Sequence, residues 1–226
     1  MMQEVAENIW IEERPLKFHG LPFGTRMTVV KLTDGSLFVH SPVALTTKLK
    51  TEIHKLGDVA HIISPNKLHH LYMGEWQTAY PAAKIYASPG LRKKRRDLKF
   101  SDDLTDTPDP AWADDLDQLI FGGSFVMKEV VFFHRASRTL LIADLMEYFC
   151  SDTPFLLRQL TRLAGMYGRP IMPPDWRMTF WRRKTARTAL ARMLSWHPEQ
   201  IILAHGKMIE SEGEETLRRS FSWLTS

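Results

Sequence analysis

The chain has 226 residues, 44% of them hydrophobic, which is enough to bury a full core and to form one domain over residues 1–226. No run approaches the roughly 18 apolar residues of a membrane-spanning helix, and Met1-Met2-Gln3-Glu4-Val5 lacks the basic start and apolar stretch of a secretory signal, so a cytoplasmic protein with no membrane partner is expected. The lone cysteine, Cys150, excludes an intramolecular disulfide and a cysteine-rich zinc site. Its neighbour Phe149 predicts a buried, inert thiol, which leaves histidine and carboxylate to hold any metal.

The net charge of +4 and a pI near 9.2 are mild, but cations bunch over residues 92–96 and 177–192. Such bunching fits nucleic acid, anionic lipid or a solvated helix face. No aromatic residue interleaves with Arg92-Lys93-Lys94-Arg95-Arg96 as base stacking requires, so the run is read as a solvated face with no specific nucleic-acid partner.

In chain order, residues 8–13 and 27–32 read as strands, and Thr33-Asp34-Gly35-Ser36 is a hairpin turn into the strand 37–40. An amphipathic segment carrying Val43, Leu45, Leu49, Ile53 and Leu56 follows and stops at Gly57. Residues 58–63 form the next strand, Ser64-Pro65-Asn66 is turn chemistry, and 68–80 carry apolar residues at helical spacing. His69 and His70 thus fall at a strand-to-helix junction, a common address for ligands and catalysts in α/β folds. Alone, the pair fits equally a ligand set or histidines that cap the helix and pack on a neighbouring strand.

Residues 83–87 are a short strand, and 101–117 form an acidic, proline-containing surface loop. The second half repeats the plan: strands at 118–121, 129–134 and 139–143 with a turn at 135–137, helices around 154–166 and 184–196 split by a proline-rich loop at 170–174, a strand 200–203 ending in Ala204-His205-Gly206, and a closing helix over 214–224. Each half is hairpins first, then β-α alternation. Two such halves predict an α/β (α+β) fold of four layers, an αββα sandwich whose strand ends converge on one edge.

The element order, with His69-His70 after an early strand, Leu141-Ile142-Ala143-Asp144 after a hairpin and Leu203-Ala204-His205-Gly206 after a late strand, resembles the metallo-β-lactamase superfamily over nearly the whole chain. Asn66, His69-His70, Phe132-Phe133-His134-Arg135 and Ala204-His205-Gly206 look like an uncharacterised branch of it, a domain of unknown function. The resemblance implies the superfamily's His-x-His-x-Asp-His motif and two metals. Laid on that motif, Pro65 and Lys67 stand where its first two histidines belong, His69 where its aspartate belongs, and His70 on its last histidine. The first metal site is expected to be absent, with Lys67 placing a cation near it and Asn66 lining the cleft. The second is expected to keep His69, His70, Asp144 and His205 around one divalent metal, zinc foremost, with iron or manganese as options and nickel and copper as competitors. A decayed site that holds no metal is the standing alternative.

His40 closes its strand where the superfamily carries a turn beneath the metals, so it reads either as a partner orienting Asp144 or a ligand histidine, or as a satisfied core histidine. Ser41 is discounted as a nucleophile. His134 is expected to be exposed, while His19, His54, His61 and His197 show no partner pattern. The tryptophans at 76, 112, 176, 181, 196 and 223 read as core or interface anchors. Residues 166–181, long and apolar for a loop, are expected to cover the cleft or to form a homodimer contact.

Two functions follow from the resemblance. One is a metal-dependent hydrolase acting on a small-molecule ester, lactone, amide or phosphoester; the other is a non-catalytic binding protein that keeps the fold without the dinuclear chemistry.

Overall fold

The computed structural model describes residues 1–18 and 20–225; His19 lies outside them. Strands β1 (Gln3–Ala6), β2 (Ile9–Arg14), β3 (Lys17–Phe18), β4 (Leu21–Pro22), β5 (Thr25–Lys31) and β6 (Leu37–His40) precede helix α1 (Thr47–Leu56). Then come β7 (Val59–Ile63), α2 (Met73–Ala79), β8 (Lys84–Ala87), α3 (Leu91–Lys94) and β9 (Asp102–Asp103). The second half holds β10 (Leu116–Phe121), β11 (Glu129–His134), β12 (Thr139–Ile142), α4 (Phe155–Leu163), α5 (Pro174–Arg177), α6 (Arg183–Ser195), β13 (Gln200–Leu203) and α7 (Gly213–Ser220), and ends in a 3₁₀ turn over Ser222–Leu224.

The strands form a seven-stranded sheet ordered β1-β2-β5-β6-β7-β8-β9 and a four-stranded sheet ordered β10-β11-β12-β13, with β3-β4 a small separate hairpin. In each large sheet the early pairs are antiparallel and the late ones parallel, β6-β7-β8-β9 in the first and β12-β13 in the second. That is the hairpin-then-βα plan of each half.

The period of two along the strands sorts their side chains into layers. Phe38, Ile63, Val130, Phe132, Leu141 and Ile202 meet between the sheets. On the outer face of the first sheet Val39 and Ile62 pack under Leu49 and Ile53 of α1 and Trp76 of α2. On that of the second, Val131, Leu140 and Ile142 pack under Leu190 and Met193 of α6 and Leu217 of α7. The result is the four-layer αββα sandwich.

Several local expectations are corrected. The helix over 68–80 starts only at Met73, because the Asn66 side-chain oxygen accepts the backbone N–H groups of Leu68 (2.8 Å) and His69 (3.2 Å) and holds the chain in turns. His134 is buried, its Nδ1 2.7 Å from Ser137 Oγ. Of the tryptophans expected to be core or interface anchors, Trp76 and Trp112 are core residues and Trp181 is 78% exposed. Cys150 is half-buried rather than sealed. Among the described residues no helix is long and apolar enough to cross a membrane.

Phe132 stands at the centre of the inter-sheet layer, edge-on to Phe38 at 5.1 Å. Phe132→Ala is expected to cost about 3–5 kcal/mol in urea unfolding, the range for a truncated core aromatic. A loss below about 1 kcal/mol would show that the two sheets do not depend on this contact.

Candidate metal centre

The parallel strands of both sheets deliver their C-terminal ends to one edge, and three side chains meet there. His69 follows β7, Asp144 follows β12 and His205 follows β13. Their ligand atoms lie within 4.8 Å of one another. His69 Nε2 is 3.3 Å from one carboxylate oxygen of Asp144, and His205 Nε2 is 3.2 Å from the other.

Each imidazole is held from behind. His69 Nδ1 is 2.5 Å from Ser41 Oγ, and Ser41, at φ 56°, sits in a left-handed turn directly after β6. His205 Nδ1 donates to the Gly24 carbonyl at 2.8 Å. The His205 loop is itself clamped: Arg26 donates to the carbonyls of Leu203 and Gly206, the latter at 2.7 Å, and is ion-paired to Glu13. Gly206 has φ 77°, and a Cβ there would lie 2.1 Å from the Tyr148 carbonyl oxygen, so only glycine lets the chain turn past residue 148.

Asp144 is held by Asn66 and Glu129. The register of β11 on β12 pairs Phe132 with Leu141, which continued outward sets Glu129 against Asp144. Two buried carboxylates face each other as a result. The Asn66 amide bridges them, donating to Glu129 Oε2 at 2.9 Å and Asp144 Oδ2 at 2.7 Å. Glu129 also accepts the backbone N–H groups of Ala143 and Asp144, each at 2.8 Å. Burial, and then the charge of Asp144, raises the Glu129 carboxyl to about 7. Burial alone would raise Asp144 too, but the charge of His69 and the bonds from both imidazoles hold it well below the usual carboxylate range. Burial opposes the charge on His205, while its bond to Asp144 and the nearby carboxylates raise it to about 8.

His70 is not part of the cluster. Arg95 Nη1 donates at 2.9 Å to His70 Nδ1 and again at 2.9 Å to its carbonyl oxygen, whereas the grouped ligand atoms are those of His69, Asp144 and His205. Burial, then Lys94 and Arg95, pushes His70 down to about 4, so it is a neutral imidazole. Lys67 has its stem over Gly90, and its carbonyl accepts from Lys94. His40 is a buried core histidine. Its ring is edge-on to Phe132, and its buried Nε2 has no hydrogen-bond partner among the described residues.

Glu129, Ser41, Gly24 and Arg95 were not anticipated in these roles. Of these only Glu129 left a signal in the sequence, a carboxylate heading the apolar run Val130-Val131-Phe132-Phe133.

The cluster opens on a cavity of about 530 Å³ lined also by His70, Glu147 and the 166–181 segment through Met166, Pro173 and Trp176. That segment therefore lines the cleft. Glu147 is pushed up to about 8 by burial, helped by Asp144 and Asp175 and opposed by His205.

The three side chains fit a metal ion. Donors 2.0–2.1 Å from a tetrahedral zinc stand about 3.3 Å apart; here each Nε2 stands 3.2–3.3 Å from its own oxygen of Asp144, and one ligand atom from each residue lies within 4.8 Å of the others. Histidines whose second nitrogen is fixed by another group are the usual company of such ions.

A family model described as "Domain of unknown function (DUF4336)" matches residues 6–169, which take in Asn66, His69, Glu129 and Asp144 but stop short of His205. No curated protein sequence matches the chain. Among solved structures the chain is similar to a metallo-β-lactamase from Pontibacter korlensis, at 13% identity and TM-score 0.67, covering 100% of this chain and 99% of that one. It is similar to the metallo-β-lactamase FIM-1 from Pseudomonas aeruginosa in its mono-zinc form, at 13% identity and TM-score 0.67, covering 100% and 94%. A third similar structure is a metallo-β-lactamase from Hirschia baltica, at 13% identity and TM-score 0.65, covering 100% and 97%. At such identities the likeness establishes the fold.

Burial and the neighbouring His69 push His40 from 6.5 down to about 3. A base depressed in the fold contributes stability that is complete above its unfolded value and lost as pH falls from 6.5 towards 3. Metal-free protein is therefore expected to lose about 2 kcal/mol more than His40→Gln between pH 7 and pH 5 in urea unfolding. Equal losses in the two proteins would show that His40 is not held neutral by the fold.

Proposed function

For a chain that belongs to the family described as "Domain of unknown function (DUF4336)", we propose a metal-dependent hydrolase on the metallo-β-lactamase fold, with one divalent metal held by His69, Asp144 and His205. The observation that carries this reading is the convergence of two imidazole Nε2 atoms on the two oxygens of one buried carboxylate, each ring held through Nδ1. The Gly24 carbonyl can only accept, so it holds the proton on His205 Nδ1 and leaves Nε2 as the ligating atom. Two imidazoles and one carboxylate suit zinc, and iron or manganese less selectively. The mono-zinc form of FIM-1 is a structure of this fold with a single zinc.

A divalent ion bound here supplies a water acidified towards neutral pH and a Lewis acid for the attacked group. Three protein ligands leave a tetrahedral position open, the mark of catalytic rather than structural sites. The remaining steps fall to the chain's own groups. Asn66 and Glu129 fix Asp144, and Ser41 fixes His69. Arg95 has no acceptor, so His70 Nδ1 must accept and the proton stands on Nε2 of a ring that lines the cavity. His70 is thereby a hydrogen-bond donor to the oxygen that gains charge as the substrate is attacked. Glu147, kept neutral by burial, holds a proton in the same cavity.

Protein purified without added metal or chelator is expected to carry about one divalent ion per chain by elemental analysis and to turn over a member of an ester, lactone and phosphodiester panel. His205→Ala should lose the ion and the activity together. His70→Ala should keep the ion and lose about 10²-fold in kcat, the usual effect of removing one oxyanion donor. Metal-free native protein, or loss of the ion from His70→Ala, would overturn the assignment.

Asn66→Ala removes the amide between two buried carboxylates. Metal affinity measured by chelator competition is expected to fall 10- to 100-fold, as for other groups that hold a metal ligand. Unchanged affinity would show that Glu129 alone positions Asp144.

A further inference from the structure

The wall of the cavity beside the cluster is apolar, and it begins at a ligand. The Phe23 ring is edge-on to His205 at 5.9 Å and edge-on to Phe149 at 5.6 Å on its other side. Phe149, Leu157 and Met166 form a small buried cluster with Phe23 packed against it, away from the three layers of the sandwich. Helix α4 presents Leu157, Leu160, Thr161 and Ala164 to the cavity at a spacing of three, four and seven residues, one face of a helix. Thr161 spends its hydroxyl on the Arg158 carbonyl at 3.0 Å and so offers the cavity chiefly its methyl group.

His69, His70, Asp144, Glu147 and His205 line the same cavity, together with the charged residues Lys17, Lys94 and Asp175. A cavity of about 530 Å³ that joins the cluster to the apolar side chains of Phe23, Phe149, Leu157, Leu160 and Met166 suits a molecule with a reactive polar group and an apolar chain.

We propose that the substrate is a carboxylic ester or lactone of a long aliphatic acid, its carbonyl at the His69–Asp144–His205 cluster and its acyl chain along Phe23, Phe149, Leu157, Leu160 and Met166. The placement of the cleaved bond rests on the hydrolase reading; the recognition of the chain does not. In the reaction a water oxygen bonds to the acyl carbon, the acyl carbon–oxygen bond breaks, the alcohol oxygen leaves with a proton, and the acid product gives its own proton to solvent.

The test uses the product class as probe. Binding of hexanoate, octanoate and decanoate to the protein as purified is measured by calorimetry. Affinity is expected to rise about threefold to fourfold per added methylene, the value for burying a chain in an apolar site. Leu160→Asp, at a position 41% exposed where a charge is tolerated by the fold, should abolish that dependence. Leu163→Ser, on the same helix but 87% exposed and outside the cavity, should leave it intact. Affinity independent of chain length, or a dependence that survives Leu160→Asp, would overturn the proposal. Equal loss in Leu163→Ser would do the same, since it would assign binding to the exposed side of α4. The two readings fail separately. A chain-length dependence retained in His205→Ala, with no hydrolysis of 4-nitrophenyl decanoate by the unaltered protein, would sink the hydrolase and leave the acyl site standing.

Discussion

Asp144 is the constraint around which the strand-end edge is arranged. A carboxylate 5% exposed loses nearly all its hydration, and an uncompensated charge there would cost several kcal/mol or force the group to take up a proton. The fold answers with two imidazoles on its two oxygens and the Asn66 amide on one of them. Glu129, the second buried carboxyl, would repel it, and the same Asn66 amide together with the backbone N–H groups of residues 143 and 144 turns that repulsion into a scaffold. Remove any one member and a buried polar group is left unpaired, which is why such networks behave as units.

The network also ties the two halves together. Ser41, Asn66 and His69 come from the ends of the first sheet; Glu129, Asp144 and His205 from the second. Gly24 and Arg26, at the start of β5, reach across to the His205 loop through three carbonyl contacts. The site can therefore form only when the inter-sheet layer of Phe38, Phe132 and Leu141 is packed. Geometry at the cluster and stability of the sandwich are one problem, and shape at the cluster is as rigid as the core behind it.

Adjacent histidines have opposite fates for a local reason. Asn66 holds residues 68 and 69 in turns, and successive side chains in a turn diverge; His69 faces Asp144 while His70 faces Arg95. Arg95 is in turn held by both oxygens of Asp97. One histidine thus turns its Nε2 towards the cluster, and its neighbour lines the cavity. The fold hosts many reactions, so it is this distribution of lone pairs, protons and apolar wall, and not the architecture, that narrows the chemistry.

The sequence by itself determined the layers. Apolar runs in residues 37–40 and 129–134, helical spacing in 43–56 and 184–196, and turn residues at 33–36 and 64–66 act through near neighbours, so they are legible without tertiary context. It also placed His69, Asp144 and His205 at strand ends, and the likeness to metallo-β-lactamases brought them to one edge. What it left open was direction: which of His69 and His70 turns inward, that Lys67 runs over Gly90, that His134 is buried and Trp181 is not. Glu129 meets Asn66 across 63 residues and Gly24 meets His205 across 181. Such contacts are set by strand register and the packing of one sheet on the other, and no local pattern encodes them. Tertiary structure alone decided them because a hydrogen bond needs its partner within about 3 Å along a particular direction, and only the closed sandwich supplies both.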